Sequence, residues 1–352
     1  MDFRSDNVSG ACPEVMAAVA EANIGAAAAY GDDEWTIRVQ RAFADLFERE
    51  VVVWPVATGT AANALSLANV VPPYGALYAH AAAHIAVDEC NAPEFFTGGA
   101  KVVAMPGVDG KIWAGDLETR LAHATPHGFH NAQPAAVSLS QATEVGTVYC
   151  IDELRAIGDL CRHYDVRFHV DGARIANAVV HLGCSFADAT WRAGVDVLSF
   201  GATKNGAMAA EAVVFFDSAL ADRMPFLRKR AGHLFSKMRF LSAQLLAYVS
   251  DDVWRRNAAR ANATAARLVA GLEDLPGVAL LHPLQANEIF IRLPKQVNEA
   301  LRADGFLFHP WGDPQDGVVR LVTAFSTKDA DVDRFVACAR GAADSTRATG
   351  SA

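Results

Sequence analysis

Apolar runs of strand length recur along residues 51 to 216, and the segments between them carry the apolar spacing of helices. The runs fall at Val51 to Val56, Ala76 to Ala79, Lys101 to Ala104, Ala135 to Leu139, Val166 to Val170, Val195 to Phe200 and Ala212 to Phe216. Thr60 to Val70 and Ile151 to Tyr164 read as helices, and the alanine-rich Ala17 to Ala29 as helical in part. Strands without polar alternation are buried on both faces, so the pattern predicts an α/β fold around a mostly parallel sheet of about seven strands.

The pattern changes after Asp217. Residues 220 to 272 read as helical, with Pro225 the one proline, and should join a large domain to a small one. Beyond them Val278 to Leu281, Glu288 to Leu293 and Val318 to Thr323 read as short strands, and Lys295 to Asp304 and Thr327 to Ala343 as helices. That alternation suits a small α+β domain. The expected division is 1–235, whose N-terminal segment reaches the active site, and 236–352, joined by a long helix. Ser345 to Ala352, small and polar, read as a frayed end.

A chain of 352 residues, 52% hydrophobic and 20% charged, belongs to the globular class. Its net charge of −9 argues against nucleic-acid binding, which needs clustered Lys and Arg. The start, Met1-Asp2-Phe3-Arg4-Ser5-Asp6, lacks the order of a signal peptide, and no apolar stretch reaches membrane-span length, so a cytoplasmic protein off the membrane is expected. Six scattered cysteines form no Cys-x-x-Cys pair, which points to neither a zinc ribbon nor a disulfide framework.

Two strand ends carry the chemistry. Val170-Asp171-Gly172-Ala173-Arg174 and Ser199-Phe200-Gly201-Ala202-Thr203-Lys204-Asn205-Gly206 each deliver a charged residue to the end of a buried sheet, where open α/β folds keep their sites. A lysine amine and a carboxylate there suit pyridoxal 5'-phosphate, whose aldehyde needs an amine and whose ring nitrogen needs an acidic partner. An exposed loop lysine and an Asp–Arg pair at a helix start fit the same residues. Ala57-Thr58-Gly59-Thr60-Ala61-Ala62-Asn63 reads as a strand–turn–helix cradle for phosphate, or as an ordinary helix cap by Thr58 or Thr60. His84 follows a short strand, placed to stack on a pyridine face or act as a base, unless it is a plain loop histidine. His80 and His84 have metal-ligand spacing but no third ligand nearby, so no metal site is expected. Arg320, inside an apolar strand, suits capture of a carboxylate if it points inward, and Ser5 is a candidate second donor.

These motifs, in this order across nearly the whole chain, resemble the low-specificity L-threonine aldolases and phenylserine aldolases. That group lies within the aromatic amino acid beta-eliminating lyase and threonine aldolase family of fold-type-I pyridoxal phosphate enzymes. The likeness rests on Phe3-Arg4-Ser5-Asp6-Asn7-Val8, Gly31-Asp32-Asp33, Thr58-Gly59-Thr60, His84-Ile85 with Glu89, Asp171-Gly172-Ala173-Arg174, Lys204 and Val319-Arg320-Leu321-Val322-Thr323. It implies that Lys204 bonds the cofactor as a Schiff base, Asp171 pairs with its ring nitrogen, Arg174 contacts the ring and His84 stacks on it. Gly59 and Thr60 would bind phosphate, and Ser5 with Arg320 the substrate carboxylate. Arg239, from the weaker Met238-Arg239 match, would reach the site across a subunit interface.

The implied activity is aldehyde-lyase cleavage of L-threonine, L-allo-threonine or a related β-hydroxy-α-amino acid to glycine and an aldehyde, with His84 or a water it holds as base. The implied assembly is a homodimer or homotetramer with shared sites. Two departures touch the substrate side chain: Ser140-Gln141-Ala142-Thr143-Glu144 lacks the histidine common in the family and is expected to put Thr143 there, and Trp35 stands for a common tyrosine. The alternatives are a β-eliminating lyase and a non-catalytic cofactor-binding regulator.

Overall fold

The structure, a computed structural model, describes residues 1–349. Seven strands form the large sheet: β1 (Val52–Val56), β2 (Gly75–His80), β3 (Lys101–Met105), β4 (Gln133–Ser140), β5 (Arg167–Gly172), β6 (Val197–Gly201) and β7 (Glu211–Phe215). Their order is β1-β7-β6-β5-β4-β2-β3, with β7 antiparallel to both neighbours and the other pairs parallel. Every residue of β6 and β7 is buried, as the unbroken apolar runs require. Phe200 anchors the centre, meeting Phe43 edge to face at 4.9 Å and Phe186 at 5.6 Å.

A second sheet is antiparallel throughout, in the order β10-β11-β9-β8 from β8 (Ala279–Leu280), β9 (Glu288–Arg292), β10 (His309–Pro310) and β11 (Val318–Val322). It has its own core, where Phe3, Leu268, Ile289, Leu301, Phe306 and Phe335 meet. Phe3 arrives from the N-terminus as an extended segment: its N–H donates to the Leu307 carbonyl, and its carbonyl accepts from Val322 N–H, both at 2.8 Å.

The change of core comes later than the expected boundary at 235/236. The helix Arg239–Val249 still packs Leu245, Leu246 and Tyr248 on the large sheet, and the helix Val253–Ala270 spans both cores, with Val253, Trp254 and Ala258 in the first and Ala265, Leu268 and Val269 in the second. The alanine-rich Ala17 to Ala29 is helical in part, as expected: its helix runs Pro13–Ala22 and stops before residues 23–29. The last helix continues through Thr349, past Ala343, and the end of the tail read as frayed lies outside the described residues. Among the described residues no helix is long and apolar enough to cross a membrane.

Candidate active site

β5 and β6 run parallel with Asp171 opposite Ser199 and Gly172 opposite Phe200, so the two charged segments leave the sheet side by side. Close approach demands glycine at Gly201, where a Cβ would lie 2.6 Å from the Ala173 carbonyl oxygen. Lys204 sits on the 3-10 turn Thr203–Asn205 that follows. The turn is pinned from several sides. Glu211 Oε2 accepts from Ala202 N–H at 2.9 Å, and Asn205 Nδ2 donates to Tyr248 Oη and to the Trp254 carbonyl. Burial pushes the Glu211 carboxyl up to about 7.

Asp171 is 6% exposed and accepts from Asn63 Nδ2 at 2.7 Å and from Ala173 N–H at 3.0 Å. Among the described residues no cation pairs with it. The same Asn63 nitrogen donates to Glu89 Oε1 at 2.8 Å, and that oxygen meets His84 Nδ1 at 2.9 Å. The Glu89 bond holds the His84 imidazole above its usual 6.5 against burial, with Asp171 and Glu144 adding to the effect. Burial pushes Glu89 upward as well. Both directions keep a proton between His84 and Glu89. Beneath Asp171, His169 lies between Ser138 Oγ (2.8 Å) and Ser199 Oγ (2.9 Å), and burial pushes its imidazole down to about 4, leaving a neutral layer there.

A cleft of about 660 Å³ opens over these groups, walled by Ser5, His84, Glu144, Lys204, Trp311 and Arg320 among others. Arg320 projects from β11 into it, donates from one terminal nitrogen to the Arg4 carbonyl at 2.9 Å, and has a buried Nε with no partner among the described residues. Ser5 Oγ accepts from Asn7 N–H at 3.1 Å. Arg174 also reaches the wall, but its guanidinium is committed: Nε donates to Asp6 Oδ2 at 2.7 Å, and another nitrogen lies 3.0 Å from Glu288 Oε2. Burial works against that charge and is outweighed by Asp6 and Glu288, so Arg174 stays charged.

Three expected residues stand apart from the cleft. Thr143 is 1% exposed and turned away, its hydroxyl 2.7 Å from Thr147 Oγ1, and the next residue, Glu144, faces the cleft instead. Arg239 begins its helix and donates to the Gly25 carbonyl at 3.3 Å, so within one chain it does not wall the cleft. Trp35 lies on the helix Glu34–Phe47 under the Arg38 guanidinium, again outside it. Thr58 caps the helix Gly59–Val70, its Oγ1 accepting from Ala61 N–H at 3.2 Å, and leaves Gly59 and Thr60 half-buried in the first turn. A Cβ on Gly59 would meet nothing within 4 Å, so there is room for a group over the turn. Among the described residues no cluster of three His, Cys, Asp or Glu suits a metal.

Sequence reasoning missed Asn63, Glu144 and Trp311. Asn63 carried a signal, since it is a polar residue on the buried side of an apolar helix. The other two sit on irregular segments, where no periodicity says which way a side chain points.

Residues 2–296 match the Beta-eliminating lyase family. The low specificity L-threonine aldolase of Pseudomonas aeruginosa is 44% identical over 338 residues, covering 96% of each chain. The solved threonine aldolase of Leishmania major superposes with a TM-score of 0.90 at 30% identity, over 96% of this chain and 98% of its own. An aspartate aminotransferase from Rhodobacter sphaeroides, 19% identical, shares the fold at a TM-score of 0.70 over 98% of this chain and 92% of its own. With Lys204 and Asp171 on adjacent strand ends of that fold, the chain belongs to the beta-eliminating lyase family, in its low-specificity L-threonine aldolase group.

Proposed function

We propose that the protein cleaves L-threonine, L-allo-threonine and related β-hydroxy-α-amino acids to glycine and an aldehyde, with pyridoxal phosphate held between Lys204 and Asp171. The observation that carries this reading is Asp171 itself, a carboxylate buried with amide donors and no cation. Such a group costs several kcal/mol unless a positive partner arrives, and a protonated ring nitrogen is one. The residues fit the cofactor elsewhere too: the open turn at Gly59 and Thr60, at the positive end of a helix, suits its phosphate.

When bound, the cofactor supplies an aldehyde for the Lys204 amine and a ring that accepts the electron pair released as the Cα–Cβ bond breaks. The chain does the rest. Asp171 would hold the ring nitrogen, and His169, buried and neutral beneath it, adds no competing charge. Arg320 and Ser5, both lining the cleft, would hold the substrate carboxylate and so set the substrate's orientation. His84 covers the cleft from the other strand end, and its shared proton with Glu89 makes it a donor toward the ligand. Arg174 acts one step back, holding Asp6 and Glu288 in the wall.

We further propose at least a homodimer, in which Arg239 serves the neighbouring cleft; the support is its place at the start of its helix, outside its own chain's cleft. Light scattering on the holoenzyme checks the mass. The reaction is tested by supplying L-threonine, L-allo-threonine and phenylserine to the cofactor-loaded protein. Glycine with stoichiometric aldehyde supports aldol cleavage, and ammonia with a keto acid would replace it by β-elimination. Lys204→Ala should remove both turnover and the visible absorbance of the bound cofactor; a colourless wild type would sink the reading.

A further inference from the structure

Glu144, on the loop after β4, walls the cleft together with His84 and Lys204. Its two hydrogen bonds, from His84 N–H at 3.1 Å and from Ser140 Oγ at 2.9 Å, both end on Oε1. Oε2 accepts none among the described residues. One oxygen is therefore anchored by two donors, while the other is left for a ligand. The remaining acids around the cleft are engaged or remote: Glu89 shares a proton with His84, Glu288 lies against Arg174, Asp171 accepts from Asn63 and Ala173, and Asp88 is exposed on the rim.

We propose that Glu144 takes the β-hydroxyl proton of the substrate through Oε2. This rests on the aldol reading above. The hydroxyl proton passes to Glu144, the O–H pair becomes the second C–O bond of the aldehyde, and the Cα–Cβ pair stays with the glycine carbon until a proton returns to it. One proton leaves oxygen and one joins carbon, so no outside oxidant, reductant or acid is needed. His84 then has a separate task, donating from the protonated His84–Glu89 pair and holding Glu144 in place through its backbone. Glu144 is also a specificity residue by its position, because a carboxylate there favours substrates that present a hydroxyl on Cβ over those with bare alkyl chains.

The experiment compares the holoenzyme with Glu144→Gln and Glu144→Ala. Three quantities are read: aldehyde release from L-threonine and phenylserine, exchange of a glycine α-hydrogen for deuterium in D2O by NMR, and cofactor affinity from the visible absorbance. Glycine exchange uses the lysine, the ring and the carboxylate clamp but has no hydroxyl to deprotonate. Aldehyde release should fall by about 10²- to 10⁴-fold in kcat, the usual span for a lost general base, with KM changed little. Exchange and cofactor affinity should stay within about 3-fold of wild type, since glutamine keeps an oxygen for both donors. Cleavage by Glu144→Gln near the wild-type rate overturns the proposal, as does a parallel loss of exchange and cleavage, which would mark a structural role. A wild type that exchanges glycine yet releases no aldehyde would instead bring down the aldol reading itself, before any variant is made.

Discussion

Asn63 has one amide nitrogen and shares it between two buried carboxylates, Asp171 and Glu89. Without it those acids would face each other with no donor between them. Asn63→Ala should therefore cost about 1 to 3 kcal/mol of stability, the range for buried polar groups left unsatisfied, and weaken cofactor binding; urea titration and absorbance titration check each part. His84 gives a second expectation with a sign. Its affinity for a proton is raised, so the stability from the His84–Glu89 pair is fully present below 6.5 and is lost as pH rises through the raised value. In an NMR titration Glu89→Gln should move the His84 midpoint downward. His169 runs the other way. Its folded form refuses a proton that the unfolded chain accepts below 6.5, so stability rises with pH from about 4 to 6.5 and is level above. That difference corresponds to roughly 3 kcal/mol, and His169→Gln should flatten the slope in urea midpoints taken across the range.

At the scale of elements, what could be read in advance was what period and burial dictate. An apolar run followed by one charged residue located β5 with Asp171 and the end of β6 with Lys204, because a strand that is buried on both faces leaves its first polar residue at the sheet end. The strand–turn–helix at Thr58 was equally readable. Thr58→Ala should cost about 1 kcal/mol through loss of the cap, measurable as a lower denaturation midpoint. Loops gave less. Thr143 and Glu144 are adjacent in a segment that accepts no strand or helix repeat, so nothing in the sequence said that the hydroxyl turns inward to Thr147 and the carboxylate outward to the cleft. Arg174 failed to be legible for a different reason: its position after β5 was readable, but its partner Asp6 lies 168 residues away, and only the folded chain brings them together.

Over the whole molecule, that ion cluster is where three parts meet. Asp6 comes from the N-terminal segment, Arg174 from the large sheet and Glu288 from the second sheet, and Asn287 Nδ2 adds a bond to Asp6 at 3.0 Å. Arg174 and Lys204 hold the Asp6 carboxyl below its ordinary range in spite of burial, so its contribution is present above about 3.8 and fades as pH falls through the lowered value. Arg174→Met would leave two buried acids uncompensated and should cost about 3 to 5 kcal/mol, seen as a drop in thermal midpoint. The extended N-terminal segment has one more consequence, in the order of synthesis. Its amino group bonds the Gly305 carbonyl 304 residues on, and Phe3 pairs with Leu307 and Val322. At about 5 to 20 residues per second, those partners leave the ribosome roughly 15 to 60 s after Ser5 and Asp6 do. These residues are made long before their partners, and until the partners arrive the cleft lacks one of its walls.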